Sequence, residues 1–367
     1  MKVLMIAPKT STFINFRGDL MKAISDKGNE IVAVCPESGF EDTLKELGAR
    51  CVCINLKKTS TTIFDNLKYL KDLTRIIKEE KPDRIFAYTI KPVIFGSIAG
   101  KRAKVKEIYS MVTGLGYVYA VDTFKTKILR VICGILYKKA FKSNSKVIFQ
   151  NKDDKEEFIR RGYLKEDKCE VVDGSGVNME RFKRNDLPEK NVFLMVSRIL
   201  KQKGVKEYFE AAKIVKDKYP ETEFLYVGAQ DNTQAALKLE EVQEYIDNGI
   251  VNYCGETNDV PSYVKKCSVF VLPSYYREGV PRTLLEALAM GRPIITTETI
   301  GCKETVKDGE NGFFVPIKDS KALAEKMIYT IEHRDELQKM SDKSYEYCKE
   351  RFDVDIINKR MLEIMKI

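Results

Sequence analysis

A strand that is apolar along its whole length, followed at once by a polar loop and a helix, points to the interior of a parallel sheet covered on both sides. Ser268-Val-Phe-Val-Leu-Pro273 has this character: it is apolar on both faces instead of alternating. Pro273, Ser274 and Gly279 interrupt the pattern, and Pro281 stands where a helix begins. Leu284, Leu285, Leu288 and Ala289 then recur at spacings of three and four. The stretch therefore predicts strand, loop and helix in that order.

Two carboxylates mark this unit. Glu278 falls in the loop and Glu286 in the helix, with seven residues between them. The start of a helix offers unpaired N–H groups and the positive end of a dipole, which favour an anion. Gly279 lets a ligand come close to the backbone. Carboxylates repel phosphate but accept charge-assisted hydrogen bonds from neutral hydroxyls. A diphosphate held between two polyols, as in a sugar nucleotide, satisfies both demands; solvated, unengaged glutamates are the alternative. The residues that follow continue an α/β pattern. Pro293-Ile-Ile-Thr-Thr297 reads as a short strand, Asp308-Gly-Glu-Asn-Gly312 as a turn, and Phe313-Phe-Val-Pro316 as another strand.

The block EGVPRTLLEALAMGRPIITT, followed by GCKETVKDGENGFFVP, resembles the signature of retaining glycosyltransferase family 4, with its two glutamates seven residues apart. It is similar to the branch that builds bacterial capsular and lipid-linked oligosaccharides. The resemblance implies an α/β chain of the GT-B fold, two Rossmann-like doubly wound domains facing each other across a cleft. On that expectation residues 1–182 bind the acceptor, 183–190 link the domains, 191–350 bind the nucleotide sugar, and 351–367 form a helix that is a candidate to cross back onto the first domain.

The bulk properties agree with a soluble two-domain chain: 367 residues, 44% hydrophobic and 32% charged. No run approaches the roughly 18 apolar residues that span a bilayer, and Met1–Pro8 reads as a strand too short for a secretory core. Among nine scattered cysteines only Cys51 and Cys53 are close, so neither a zinc set nor a disulfide framework is expected, and a reducing cytoplasm is. Charge is unevenly spread. Residues 1–177 hold 33 Lys and Arg against 22 Asp and Glu, while the remainder holds 30 against 32; residues 101–150 alone hold 11 against 2.

In the amino-terminal half, residues 2–7 and 31–36 read as strands with a helix from about Asp19 to Lys27 between them. The loop Pro8–Arg17 lacks the glycine pattern of a dinucleotide fold. With Arg17 at its end it suits an acceptor phosphate, or equally a hydroxyl-rich capping turn. A helix over Asp65–Glu80 is expected to bury Leu67, Leu70, Leu73, Ile76 and Ile77. Lys91 lies just past the next strand, where open α/β sheets bind ligands, and is an acceptor-site candidate or a solvated lysine. Thr113 and Gly114 follow a further strand in a segment resembling the family's cleft-facing one. Many family members carry a histidine near there; the only histidine of this chain is His333, in a charged late helix. A histidine general base is therefore not offered.

Residues 123–142 combine Phe124, Ile128, Val131, Ile132, Ile135 and Leu136 at helical spacing with six Lys and Arg. Such a helix lies on an anionic membrane surface or packs as an ordinary domain helix. Nucleic acid is not indicated, since no nucleic-acid motif accompanies the charge.

In the carboxyl-terminal half, Val192–Ser197 opens a second α/β run. Arg198, Lys203 and Gly204 follow it beside a helix start, an anion site or a set of structural salt bridges. The resemblance gives these residues the donor diphosphate, places Gly228 in the nucleotide pocket, and assigns Glu278 the donor sugar and Glu286 the ribose. Gly279, Val280, Pro281, Arg282 and Thr283 complete the donor loop. Arg198, Lys203 and that loop would stabilise the departing diphosphate without a metal or cofactor. The expected enzyme is a retaining hexosyltransferase moving an N-acetylhexosamine from a UDP-sugar to a polyprenyl-diphosphate-linked sugar. It would work in the cytoplasm, peripherally on the inner face of the membrane. The alternatives are a sugar-nucleotide epimerase or phosphorylase of the same fold, and a non-catalytic basic membrane-docking protein.

Overall fold

The computed structural model describes residues 1–54, 62–120, 122–231 and 235–367. They form two compact units: Met1–Ser175 together with Val354–Ile367, and Gly176–Asp353.

In the first unit the strands are β1 (Lys2–Ile6), β2 (Glu30–Cys35), β3 (Ala49–Cys53), β4 (Arg84–Tyr88), β5 (Glu107–Val112), β6 (Lys146–Phe149) and β7 (Cys169–Val171). They make one parallel sheet ordered β3-β2-β1-β4-β5-β6-β7. Its strands are apolar on both sides because helices cover both faces. Phe13, Leu20 and Met21 from helix Thr10–Asp26 and Ile357, Met361 and Met365 from helix Val354–Met365 close one face. Helices Ile63–Glu80, Ile90–Arg102 and Phe124–Phe141 lie side by side on the other.

The second unit holds β8 (Val192–Val196), β9 (Glu223–Val227), β10 (Asn252–Tyr253), β11 (Val269–Leu272), β12 (Ile294–Thr297) and β13 (Gly312–Val315). They are also parallel, ordered β10-β9-β8-β11-β12-β13. Helix Val205–Lys218 packs against Ser320–Glu332, and Arg282–Ala289 against Arg334–Arg351. Close backbone passage sets several turns. At Gly312 a Cβ would stand 2.0 Å from the Ile294 carbonyl oxygen, so only glycine fits.

Three expectations are corrected. The first helix starts at Thr10, not near Asp19. Its cap comes from Glu37, 27 residues away, whose Oε2 accepts from the Thr10 amide at 2.6 Å and from its hydroxyl at 2.8 Å. Nothing local in the sequence announces such a cap. Leu67, expected in the core, is 57% exposed. Residues 183–190, read as a linker, lie within the second unit. There Asp186 gives its carbonyl to the buried Arg292 at 3.1 Å, and Pro188 gives its own to Arg334.

Val354–Ile367 is tied to the first unit by polar contacts as well. Arg84 donates to the carbonyls of Met365 and Lys366 at 2.7 and 3.0 Å, and Arg360 pairs with Glu170 at 2.8 Å. Met361 is fully buried. Met361→Ala should lower the stability of the first unit by about 2–5 kcal/mol in denaturant unfolding, whereas Leu67→Ala should change it by less than about 0.5 kcal/mol.

Candidate active site

In a parallel sheet whose strand order reverses, the loops leaving the two strands at the reversal part to opposite faces and open a crevice at their carboxyl ends. The second unit reverses between β8 and β11. The loops that follow these strands carry Lys203 and Glu278.

These two side chains meet. Lys203 Nζ lies 2.6 Å from Glu278 Oε1, and the side chains are only 12% and 17% exposed. Ser274 Oγ also donates to Glu278 Oε1 at 3.2 Å. The two loops are laced by backbone: the Gln202 carbonyl accepts from the Tyr275 amide at 2.8 Å and from Ser274 Oγ at 3.3 Å. Lys203 also stands 5.9 Å from the centre of the Tyr276 ring. From the end of β12 and just beyond it, Thr297 and Thr299 donate their hydroxyls to the Ser274 carbonyl, the latter at 2.9 Å.

Glycines make this closeness possible. Gly204 has φ +76°, and a Cβ there would stand 2.3 Å from the Pro273 carbonyl oxygen. Gly301, φ +91°, presses against the Gly279 and Glu278 carbonyl oxygens, which a Cβ would meet at 2.4 and 2.9 Å. Gly228 backs onto the Ser197 carbonyl oxygen, where a Cβ would stand 1.7 Å away. Its first duty is thus to let β8 and β9 continue side by side.

Glu286 sits on the buried side of helix Arg282–Ala289, with Arg282 Nε 3.2 Å from its Oε1. Burial raises the Glu286 carboxyl above its ordinary range, and Arg282 opposes only part of that. Val280 and Pro281 are buried and Thr283 half-buried at the same helix start. Arg198 takes a different partner: its Nη1 is 2.7 Å from Oδ2 of Asp231, and its side chain is about half exposed. The structure therefore brings together Lys203, Gly204, Glu278 and the 279–283 loop, and pairs Arg198 with an acid that sequence reasoning did not single out. Asp231, Ser274 and Tyr276 carry no local signal; only their place beside the crevice distinguishes them.

The first unit reverses between β1 and β4. Arg17 is not at a helix start there. It lies inside helix Thr10–Asp26, 3% exposed, with its guanidinium 5.5 Å from the Tyr88 ring centre and Nη2 2.7 Å from Met111 Sδ. A phosphate on the surface cannot reach it without rearrangement, so this acceptor assignment is set aside. Lys91 occupies the first turn of helix Ile90–Arg102, and burial holds its amine below the ordinary lysine range. Thr89, just before it, has φ +68°, and its buried hydroxyl oxygen has no hydrogen-bond partner among the described residues. A β-branched residue in that region is strained, and such strain gathers at functional sites. Thr113 and Gly114 follow β5 at the same edge, with Gly114 at φ +112°. His333 stacks on Tyr329 at 4.0 Å in the second unit.

The cysteines hold one surprise. Cys35 Sγ is 3.2 Å from Cys51 Sγ, and the ligand atoms of Glu41, Cys51 and Cys53 lie within 4.8 Å of one another. Burial, and after it the neighbouring Cys35, push the Cys51 thiol up to about 12.

Known proteins match this architecture along its whole length. Residues 177–347 fit the family of glycosyl transferases group 1, and residues 2–151 fit glycosyl transferase 4-like proteins. An N,N'-diacetylbacillosaminyl-diphospho-undecaprenol α-1,3-N-acetylgalactosaminyltransferase of Campylobacter jejuni is 30% identical over 99% of this chain and 98% of its own. The chain is a family 4 glycosyltransferase. Another similar enzyme is an Escherichia coli UDP-Gal:α-D-GlcNAc-diphosphoundecaprenol α-1,3-galactosyltransferase, 29% identical over 79% of this chain and 77% of its own. Among solved structures, Anabaena HepE in complex with UDP-glucose superimposes with a TM-score of 0.81 at 20% identity, covering 100% of this chain and 99% of that one. The fold of this glycosyltransferase is GT-B, with a doubly wound α/β unit in each half.

Gly301→Ala should displace the Glu278–Gly279 backbone, since the added carbon has no room and a positive φ costs a further 1 kcal/mol or roughly so. The expected result is a lowered melting temperature together with weakened nucleotide binding by calorimetry; wild-type values for both would show that the loop does not depend on this contact.

Proposed function

We propose that this glycosyltransferase moves an N-acetylhexosamine, with retention of configuration, from a UDP-sugar to a sugar carried on a polyprenyl diphosphate. The setting is bacterial surface-polysaccharide or glycan assembly, with the enzyme working peripherally on the anionic inner face of the membrane. The reading rests above all on the Lys203–Glu278 pair at the β8–β11 reversal, a cation and a hydroxyl acceptor within 2.6 Å at the edge where such sheets take ligands. The activities of the Campylobacter and Escherichia coli relatives, both on undecaprenyl-diphosphate sugars, support the acceptor class, and the first of them supports the N-acetylhexosamine.

In this reading Lys203, with Arg198 and the first amides of helix Val205–Lys218, holds the diphosphate. Glu278 accepts from the donor sugar's hydroxyls and Glu286 from those of the ribose. The sugar's C1–O bond to the β-phosphate breaks while the acceptor hydroxyl adds to C1 from the same face. The departing phosphate oxygen takes the acceptor's proton. Negative charge grows on the diphosphate as this happens, and cations already in place lower that barrier by several kcal/mol. No histidine is required as base. Lys91, Thr113 and Gly114 line the acceptor edge of the first unit.

Two measurements check the donor half. A panel of sugar nucleotides should include one class that raises the melting temperature. A ligand held at about 100 times its Kd adds roughly 2.7 kcal/mol, and Lys203→Ala and Glu286→Ala should abolish the shift. If no nucleotide shifts the wild type, the donor site is misassigned. Because the buried Glu286 carboxyl gains its proton at milder acidity than an exposed glutamate, donor affinity should fall as pH drops through that raised pKa. It should recover at neutral pH, and Glu286→Gln should flatten this slope.

A further inference from the structure

Helix Phe124–Phe141 is turned the other way round from an ordinary domain helix. Its buried residues are Thr126, Gly134, Tyr137, Ala140 and Phe141. Gly134 secures that packing, for a Cβ there would stand 2.5 Å from the Tyr163 hydroxyl oxygen. Five large apolar residues instead face solvent: Phe124 is 81% exposed, Ile135 65%, Val131 64%, and Ile128 and Ile132 47% each. At 3.6 residues per turn these five fall within an arc of about 100°. Lys125 borders the arc on one side and Lys127 and Lys138 on the other, while Lys139 falls within it one turn beyond Ile135; all four are exposed, and Lys127 Nζ lies 3.5 Å from Asp122 Oδ2.

The same layer carries a second apolar outcrop. In its first two turns helix Ile63–Glu80 exposes Phe64 at 87% and Leu67 at 57%. Both this helix and Phe124–Phe141 lead directly into strands of the parallel sheet, β4 and β6, so both begin at its carboxyl edge. Phe64, Leu67, Phe124 and Ile128 therefore emerge at the edge that also carries Lys91, Thr113 and Gly114. Single exposed apolar residues are commonplace, but a ridge of this size marks an interaction surface.

We propose that the first unit docks on an anionic lipid bilayer through this ridge, with Phe124, Ile128, Val131 and Ile135 entering the boundary between headgroups and acyl chains. The bordering lysines lay their stems along the apolar surface and reach out to lipid phosphates. Charge decides for lipid over a second copy of the chain. Two such ridges face to face would set lysine against lysine, whereas an anionic surface complements them; residues 101–150 hold 11 basic residues against 2 acidic. The proposal rests on the lipid-linked acceptor of the preceding reading. A diphosphate anchored in that bilayer would lie at headgroup depth, level with the carboxyl edge of the sheet.

The test is flotation of the full-length protein with vesicles of phosphatidylglycerol and phosphatidylcholine, beside vesicles of phosphatidylcholine alone. The wild type should float with the anionic vesicles and be released by salt, because surface attraction decays within a Debye length. Phe124→Ser, Val131→Ser and Ile135→Ser combined should weaken binding by about tenfold or more, as should Lys125→Gln, Lys138→Gln and Lys139→Gln combined. Both variants should keep the wild-type melting temperature and donor-induced shift. Absence of wild-type flotation overturns the proposal, as does flotation undiminished in the serine variant. Self-association that the serine variant abolishes, without vesicle binding, overturns it in favour of a second copy. The donor shift separates the two readings: vesicle binding without a shift sinks the glycosyltransferase donor site and leaves docking intact, whereas a shift without vesicle binding does the reverse.

Discussion

The reversal of strand order in a parallel sheet fixes where this molecule can do chemistry. At β8 and β11 the chain leaves two neighbouring strands toward opposite faces, which opens a crevice at their carboxyl ends. Side chains projecting there are shielded by their flanks yet remain within reach of a ligand. Burying a charge in such a place is costly unless it is paired. Lys203 and Glu278 meet that condition for each other across 75 residues of sequence. Everything nearby serves to hold the two loops at that separation: the Gln202 carbonyl, the Ser274 hydroxyl, and two glycines pressed against backbone.

The seven-residue spacing of the glutamates acquires a geometric meaning here. Glu278 precedes the helix and faces across the reversal, while Glu286 lies on the helix and turns inward to Arg282. Each acid thus has its own cation, one distant in sequence and one a single turn away. On the proposed reading an incoming diphosphate would compete for Lys203 and leave Glu278 to accept hydrogen bonds from hydroxyls instead. On the proposed reading the pair would act as a placeholder for the ligand, and its mutual contact keeps both charges tolerable.

Local features were legible in the sequence. The apolar strand Val269–Leu272, the loop and the helix Arg282–Ala289 follow from patterning and proline placement, because each depends on neighbouring residues. What escaped depends on distant ones. The start at Thr10 rests on Glu37, and the seating of Arg17 on Tyr88 and Met111. Residues 183–190 are polar like a linker, yet Arg292 and Arg334 satisfy their carbonyls. The Cys35–Cys51 approach needs two adjacent strands in register. Periodicity likewise identified the apolar positions of Phe124–Phe141 but was silent on which way they face. That was settled by Gly134, whose missing side chain admits Tyr163 and rolls the helix so that its small and aromatic side packs inward.

The uneven charge of the chain follows the same division of labour. A nucleotide sugar is a soluble dianion, and a crevice can capture it with two or three fixed cations; the carboxyl-terminal half accordingly carries no basic excess. A lipid-linked diphosphate never leaves a negatively charged surface, so the half that meets it must first be attracted to that surface as a whole. Diffuse positive charge achieves this at a distance of a Debye length or so, and apolar insertion then fixes depth and orientation. On this view the basic excess of residues 1–177 and the exposed ridge of Phe124–Phe141 solve one problem, and the paired charges at the β8–β11 reversal solve another. On the same view the two halves share a fold and would differ in whether their electrostatics act at long range or at contact.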